Sequence, residues 1–375
     1  MADNSDEKRK WVRLTRVCNN HCLFCLDSER QNGSFLPFSS ILKNLSDGLK
    51  KGCKRAVLSG GEPSIHPDFI KVVRSAHALG YSSIQVITNG RMFCYPEYLR
   101  EAVSSGLTEI TFSIHSHLPE INDYLTGVKG SLIQSVKALK NAMSVPGLIV
   151  NCDIVVSKLN INSLAQHLRF LFKLGIREFD VLNLIPFGRA WENWDKLYYD
   201  VFQHKDDLFN AFEIRFNNGV HLWTNRFPPD LFVDTADLIQ SPFKLIDEIM
   251  GWKEDFDYIR QNKEKKMWCE GERCRYCILQ PFCRDYRKLI EYGKLLSHNL
   301  PLCLENKNTE YNTSEDQNFV LSSDELEKIA TFFIKERHFF KGQKCVKCRH
   351  FDSCSGVPLL YIKSNGFNSV IPIEK

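Results

Sequence analysis

Between Trp11 and Gly188, short apolar runs alternate with longer stretches of helical periodicity, and this alternation limits the possible folds more than any other feature of the chain. Candidate strands fall at 11–16, 55–59, 83–88, 109–114, 148–156 and 178–184, each rich in Val, Ile, Leu, Phe or Thr, as strands of a buried parallel sheet are. Between them, Phe69, Val72, Val73, Ala76 and Leu79 have helical spacing, with Gly80 as the stop. Leu132, Val136, Leu139 and Met143 repeat the pattern, and so do Leu164, Leu168, Leu171 and Leu174 ahead of Gly175. Six successive strand–helix units predict an α/β fold: a partial (β/α)6, TIM-like barrel, with a full barrel or an open doubly wound sheet as alternatives. In each case chemistry belongs at the C-terminal ends of the strands.

After Gly188 the alternation stops. Residues 191–266 are aromatic-rich and broken by Pro228, Pro229 and Pro242, and short cysteine motifs follow from Cys269. The predicted division is a barrel over 1–190, a linker or substrate-channel region over 191–266, and a smaller cysteine-rich domain over 267–375. The run 306–318 is polar and reads as a loop, and Ser322 or Ser323 could cap a helix through Leu326, Ile329 and Phe333.

A net charge of +4, from 49 basic and 45 acidic residues, is too small to argue for nucleic acid. Lys263, Lys265 and Lys266 read as solvated surface. Met1 to Lys10 are polar, so no secretory signal is expected. No stretch of 18 apolar residues predicts a membrane span. A cytoplasmic protein is the expectation.

Fourteen cysteines in such a chain then point to metal rather than disulfides. They fall into three groups: Cys18, Cys22 and Cys25; Cys269, Cys274, Cys277 and Cys283; Cys345, Cys348 and Cys354. Cys303 stands apart. So do Cys53, Cys94 and Cys152, which lie in or near apolar elements and read as buried small hydrophobes. In the first group, thiolates spaced Cys-x3-Cys-x2-Cys after the first strand can wrap one face of an iron–sulfur cubane and leave one iron without a protein ligand. A structural zinc site asks for four ligands. A zinc knuckle on an unrelated α/β enzyme is the alternative reading of the triplet.

The run from Thr15 to Cys25, including Phe24 before the last cysteine, resembles the cluster loop of radical S-adenosylmethionine (radical SAM) enzymes. The Gly60-Gly61-Glu62-Pro63 stretch after the second strand is similar to that family's GGEP motif. Further matches stand at strand ends: Thr88-Asn89-Gly90, Ser113-Ile114-His115 and Asn183-Leu184-Ile185-Pro186-Phe187-Gly188. The resemblance implies a [4Fe–4S] cluster on Cys18, Cys22 and Cys25, with SAM chelating the open iron. It implies Phe24 near the adenine, Gly60, Gly61, Glu62 and Pro63 at the methionine amino group, and Asn89 and Pro186 along the SAM site. Ser113 and Ser157 are weaker candidates near the ribose. It also implies an electron donor such as flavodoxin or ferredoxin.

Cys274-x2-Cys277-x5-Cys283 and Cys345-x2-Cys348-x5-Cys354 share one spacing. Cys269 completes four ligands in the first set, and Cys303 is the natural fourth for the second, enough for an iron–sulfur cluster or a zinc site in each. The tail resembles the SPASM or twitch auxiliary-cluster domains, without the first half of the usual SPASM pattern. Two auxiliary [4Fe–4S] clusters, or one with a zinc knot, are both open.

By the same resemblance, one-electron reduction of SAM yields a 5′-deoxyadenosyl radical that removes hydrogen from a substrate. A ribosomally made peptide is the first substrate class, altered by cross-linking, thioether formation or epimerisation. A small molecule (a sugar, nucleoside or amino acid) is the second, favoured by the short stretch ahead of the first strand. A non-catalytic zinc-binding protein is the third reading. His115 and His117 read as proton-transfer or structural residues. His21 reads as packing within its loop, and Glu120, Asp123, Leu125, Thr126 and Gly127 resemble a loop common in the superfamily. Arg189 could meet a carboxylate of substrate or SAM, or form a surface salt bridge. Trp191, Trp194, Tyr198, Tyr199 and Phe202 could line a channel or pack a core.

Overall fold

The computed structural model describes residues 8–295, 301–304, 317–318 and 325–374. The chain divides into two compact units, Met1–Asn225 and Arg226–Lys375. The division falls inside the 191–266 segment that the sequence sets apart as a linker.

The first unit is built on seven strands: β1 (Arg9–Thr15), β2 (Arg55–Gly60), β3 (Ser83–Thr88), β4 (Glu109–Ser113), β5 (Ile149–Val155), β6 (Glu178–Leu182) and β7 (His221–Asn225). They lie in sequence order, and every neighbouring pair is parallel. Strand order alone rules out the doubly wound alternative, which requires a reversal of order. β1 and β7 are the two edges, so the curl stays open and the closed-barrel alternative falls away.

Helices α1 (Phe38–Lys50), α2 (Phe69–Leu79), α3 (Pro96–Ser104), α4 (Pro119–Thr126), α5 (Ser131–Met143) and α6 (Leu164–Lys173) fill the crossovers up to β6. Their ends follow local chemistry. Pro96 and Pro119 open α3 and α4 at the position where a missing N–H costs nothing. Gly80 ends α2 in the left-handed conformation, at φ 101°.

The sheet has two unlike faces. Leu14, Leu58, Val86, Phe112, Ile154 and Val181 are fully buried on one of them. The alternate positions, Arg13, Ser59, Gln85, Ser113, Asp153 and Asp180, are only half-buried. This second face is laced by polar bonds: Gln85 Nε2 donates to Thr111 Oγ1 at 2.8 Å, and Asn225 Nδ2 to Asp180 Oδ2 at 3.1 Å. A continuously apolar strand is therefore not what this parallel sheet requires. β7 (His221–Asn225) escapes a search for apolar runs because it is an edge strand with polar and exposed residues at alternate positions.

The second unit is helical. Helices at Lys244–Gly251, Lys253–Gln261, Gln280–Tyr292, Leu326–Glu336 and Leu359–Asn365 carry its core. Phe256, Phe282, Tyr286 and Phe333 meet ring to ring there, Phe256 and Phe282 edge-on with centroids 5.3 Å apart. Arg337 and Asp285 form a buried pair at 2.6 Å. Of the polar run at 306–318, only 317 and 318 are described; they pair antiparallel with Lys294–Leu295. Ser322 and Ser323 lie outside the described residues, whereas Leu326, Ile329 and Phe333 lie on one buried helix side. Among the described residues no helix is long and apolar enough to cross a membrane.

Candidate functional site

Cys18, Cys22 and Cys25 stand in the loop after β1, at the C-terminal edge of the sheet. The sheet prepares their position. β1 shifts register between Arg13 and Thr15, so Thr15 pairs with Gly60 and the chain leaves the sheet against the Gly60-Gly61 turn. Gly61 N–H donates to the Thr15 carbonyl and Glu62 N–H to the Val17 carbonyl, each at 2.8 Å. A side chain on Gly61 would run into the Val17 carbonyl and the Cys18 amide. The second glycine is thus the price of a close approach between β2 and the cysteine loop.

Three other elements hold the same loop. From the end of α4, the Thr126 and Leu125 carbonyls accept the His21 and Leu23 N–H groups, each at 2.9 Å. From the end of β3, Asn89 Nδ2 donates to Asn19 Oδ1 at 2.6 Å, and the Arg91 guanidinium reaches the Asn19 carbonyl and Asn20 Oδ1. From beyond β6, Arg189 N–H donates to the Cys25 carbonyl at 3.0 Å, and Arg189 Nε to the Cys22 carbonyl at 3.0 Å. Gly188, at φ 53°, allows that approach; a Cβ there would lie 2.5 Å from the Cys25 carbonyl oxygen. The Arg189 side chain is thus turned onto the cysteine loop rather than onto a surface acid.

Burial pushes the Cys18 thiol up to about 11, and it raises Cys22 and Cys25 as well. Each thiol also feels the others or the Arg189 cation. Buried sulfurs of this kind lose their protons readily only to a positive centre, and metal binding supplies one. Three soft donors grouped in one loop and held by backbone and side chains of several strand ends fit a thiolate-ligated cluster. Among the described residues no three His, Cys, Asp or Glu side chains are arranged to hold a single metal ion. In a cubane, each thiolate binds a different iron.

Residues 12–171 match the family model of the radical SAM superfamily. Residues 12–171 thus form a radical SAM domain. A protein named probable GTP 3′,8-cyclase from Saccharolobus islandicus is 28% identical over 198 residues, covering 52% of this chain and 61% of that protein. One of the same name from Sulfurisphaera tokodaii is 28% identical over 178 residues, covering 47% and 56%. The chain thus matches less than two thirds of the length of these curated relatives. The crystal structure of SuiB from Streptococcus suis bound to precursor peptide SuiA superposes with a TM-score of 0.51 at 14% identity, covering 98% of this chain and 75% of that one, a likeness of fold.

Within the radical SAM domain, the residues singled out from sequence divide by what their side chains touch. Glu62 is buried, and its carboxylate accepts from Ser64, from Thr88 Oγ1 at 2.6 Å and from the Asn89 N–H at 2.8 Å. Burial raises its pKa against those hydrogen bonds. Its side chain therefore ties the ends of β2 and β3 together, while Pro63 starts the short turn that follows. Phe24 packs edge-on against His115, with ring centroids 4.4 Å apart. Leu23, Phe24 and Trp194 pack on the cluster of Leu125, Leu184, Ala190 and Leu197. Trp194 thereby joins a core in this unit, and Tyr199 is buried with its hydroxyl on Asn183 Oδ1. Tyr198 and Phe202 stay exposed.

The Val155 N–H donates to His115 Nδ1 at 3.1 Å, which puts the ring proton on Nε2. Burial pulls His115 down to about 3, so the ring is neutral at ordinary pH. Ser113 is half-buried at the end of β4, and Pro186 is buried after β6. Ser157 is fully buried and its hydroxyl donates to Asn160 Oδ1 at 3.2 Å, within its own turn. Asp123 binds the Gly130 and Leu132 N–H groups and the Ser131 hydroxyl at the start of α5. Burial alone would raise Asp123, but those bonds hold it below the usual carboxylate range. Asn19, Asn20, Ser28, Gln31 and Arg91 carry no motif of their own. Only their nearness to the cysteines or to Asn89-Gly90 could have drawn attention to them.

In the second unit the two matching cysteine sets share a local structure. Gly271 and Gly342 each precede a five-residue 3-10 turn, at Glu272–Tyr276 and Gln343–Lys347. In each turn the second cysteine N–H donates to the carbonyl of the first: Cys277 to Cys274 at 3.1 Å, Cys348 to Cys345 at 2.9 Å. Cys269, Cys274 and Cys277 all act electrostatically on Cys283; Cys345, Cys348 and Cys354 all act on Cys303. Both fourth cysteines thus stand with their sets. Burial raises Cys269 to about 11 and Cys277 to about 12, and it raises Cys283, Cys303 and Cys345 too. Both donor sets fit iron–sulfur or zinc. Cys53, Cys94 and Cys152 are buried elsewhere, as small hydrophobes are.

Proposed function

We propose that this chain cleaves SAM reductively and uses the resulting radical on a substrate carbon. The observation that carries this reading is the Cys18–Cys22–Cys25 loop, pinned against the Gly60-Gly61 turn at the C-terminal edge of the sheet. A [4Fe–4S] cluster and SAM bound here would supply one-electron cleavage of the C5′–S bond of the sulfonium, to methionine and a 5′-deoxyadenosyl radical. The chain's own residues do the rest. Cys18, Cys22 and Cys25 hold three irons. The Gly60-Gly61-Glu62-Pro63 turn offers backbone close to the loop for the methionine end. Phe24, edge-on to His115, gives the adenine an aromatic wall. Asn89, Ser113 and Pro186 border the same strand ends. Glu62 and Asn89 fix β2 and β3 relative to the loop, which keeps the reacting groups in line.

The C-terminal cysteine repeat, resembling SPASM or twitch domains, supports two auxiliary clusters on Cys269, Cys274, Cys277 and Cys283 and on Cys303, Cys345, Cys348 and Cys354. Four ligands in each set suit electron transfer. A ribosomally made peptide is the first substrate class, with a flavodoxin or ferredoxin as electron source. Relatives named GTP 3′,8-cyclase favour a small molecule as the second reading.

The test is anaerobic reconstitution followed by SAM and a reductant. Formation of 5′-deoxyadenosine and methionine is the expected result. A protein that carries zinc and no iron, or whose loop cysteines can all become alanine without loss of deoxyadenosine, overturns the reading.

A further inference from the structure

Arg189 is one residue beyond Gly188, and the glycine brings it onto the cysteine loop rather than out to solvent. Its backbone N–H donates to the Cys25 carbonyl at 3.0 Å and to Ser28 Oγ at 2.7 Å. Its Nε donates to the Cys22 carbonyl at 3.0 Å, and a terminal nitrogen donates to Gln31 Oε1 at 3.4 Å. Gln31 then turns its amide nitrogen to Cys25 Sγ at 3.5 Å. The guanidinium also acts on the Cys25 sulfur, lowering its pKa against the effect of burial. One side chain therefore closes the loop's backbone, holds Gln31 with its amide on one sulfur, and places a fixed positive charge that acts on all three cysteines.

We propose that Arg189 is a positioning residue that raises the reduction potential of the cluster held by Cys18, Cys22 and Cys25. The inference rests on the function proposed above. Adding an electron makes the cluster and its thiolates more negative. A nearby cation and N–H···S bonds stabilise that state more than the oxidised one. A guanidinium keeps its charge at any working pH, so the effect does not switch off. Without it, the buried loop would hold a cluster that is harder to reduce.

The experiment is a redox titration of the full, anaerobically reconstituted chain, following the electron paramagnetic resonance signal that changes on adding SAM. That response separates this cluster from any other in the protein. Arg189→Gln removes the charge. Arg189→Lys keeps it while losing the fork. For Gln, the reduced-to-oxidised ratio at the wild-type midpoint should fall about tenfold, which is about 59 mV for a one-electron couple. Lys should recover more than half of that fall. A Gln variant that holds its cluster and titrates like the wild type overturns the inference, and so does a Lys variant that falls as far as Gln. Where the Gln variant takes up no cluster, the Lys variant decides. Uptake with a near-wild-type midpoint supports the role of charge; folded protein without a cluster refutes it. A wild-type signal indifferent to SAM sinks the proposed function itself, a result distinct from an unshifted variant.

Discussion

The cysteine loop of the first unit and the cysteine turns of the second draw on local and distant bonds in different proportions. The loop has almost no hydrogen bonding of its own, apart from Cys25 N–H to the Cys22 carbonyl and Asn20 N–H to Cys18 Sγ. It is positioned by β2, β3, α4 and the segment after β6. The later turns, after Gly271 and Gly342, each carry the same cysteine-to-cysteine bond and a further turn bond onto the glycine carbonyl, and the second is also tied to Ile373 and Glu374. A site that leaves an iron open must set its vacant corner against a cofactor, so its loop has to be placed by the whole sheet. A set with four sulfurs has no vacant corner to aim, and short-range turns can do more of the holding.

The largest expected effect cuts this comparison in two. Replacing Cys18, Cys22 and Cys25 together by Ala should lower deoxyadenosine formation by about a thousandfold or more and remove one cluster's worth of iron. Replacing Cys274, Cys277 and Cys283 should remove a similar amount of iron, while SAM cleavage in the absence of substrate stays within about tenfold of wild type. Iron analysis and chromatography read both. Equal losses of cleavage would erase the distinction between the regions.

Next comes the contrast between two glycines. Gly61→Ala meets the Val17 carbonyl, and the overpacking should cost about 1–3 kcal/mol. It should also slow SAM cleavage about 10- to 100-fold, because a displaced loop misaims its ligand. Gly271 has φ 139° with nothing within 4 Å of a built Cβ, so Ala there adds only backbone strain, of about the same energy. Its cleavage activity should change less than about threefold. Matched melting temperatures with unmatched activities are the expected pattern.

How much of this could be read from the chain follows the same divide. Six strands, the three cysteine groups and the Gly60-Gly61 turn are legible because each leaves a local mark: an apolar run, a fixed spacing, a glycine pair. β7 left none, since His221 and Trp223 are exposed on an edge strand. Arg91 and Arg189 left little more. They meet the loop across 72 and 167 residues of separation, and no periodicity encodes that. At Ser157 sequence alone does not assign a role, because a polar residue at a strand end satisfies a local turn as readily as a ligand.

Acid should separate the units by a smaller margin. Burial pulls His115 down to about 3 and His167 down to about 4 in the first unit, and His338 to about 4 in the second. Their depressed folded values mean that the unfolded chain takes up protons first. The stability they contribute is intact above about pH 6.5 and drains away as pH falls toward 4 or 3. Each fully buried ring can cost up to about 1.4 kcal/mol per pH unit in that window. The first unit, with two such rings, should therefore melt earlier than the second at pH 5, as judged by calorimetry. His167→Gln can keep the donor to the Ile114 carbonyl, now received at 2.8 Å, and should flatten the decline. An acid limb unchanged in that variant would remove His167 from the account.

The smallest effect tests the comparison at the level of one sulfur. Gln31→Leu deletes the amide that reaches Cys25 Sγ and the oxygen that receives Arg189, but leaves the guanidinium itself in place. With the charge retained and one donor lost, the SAM-responsive cluster should be reduced about two- to threefold less at the wild-type midpoint, well short of the Arg189→Gln effect. In the second unit, Cys354 Sγ receives its donor from the Gly356 backbone at 3.2 Å, which no side-chain change can delete. Cys18 Sγ likewise receives a backbone donor, the Asn20 N–H, so the contrast lies between single sulfurs: Cys25 has a side-chain donor that can be removed, and Cys354 has one written into the backbone. Should Gln31→Leu leave the midpoint untouched, or shift it as far as removing Arg189, the first half of that contrast would have no support.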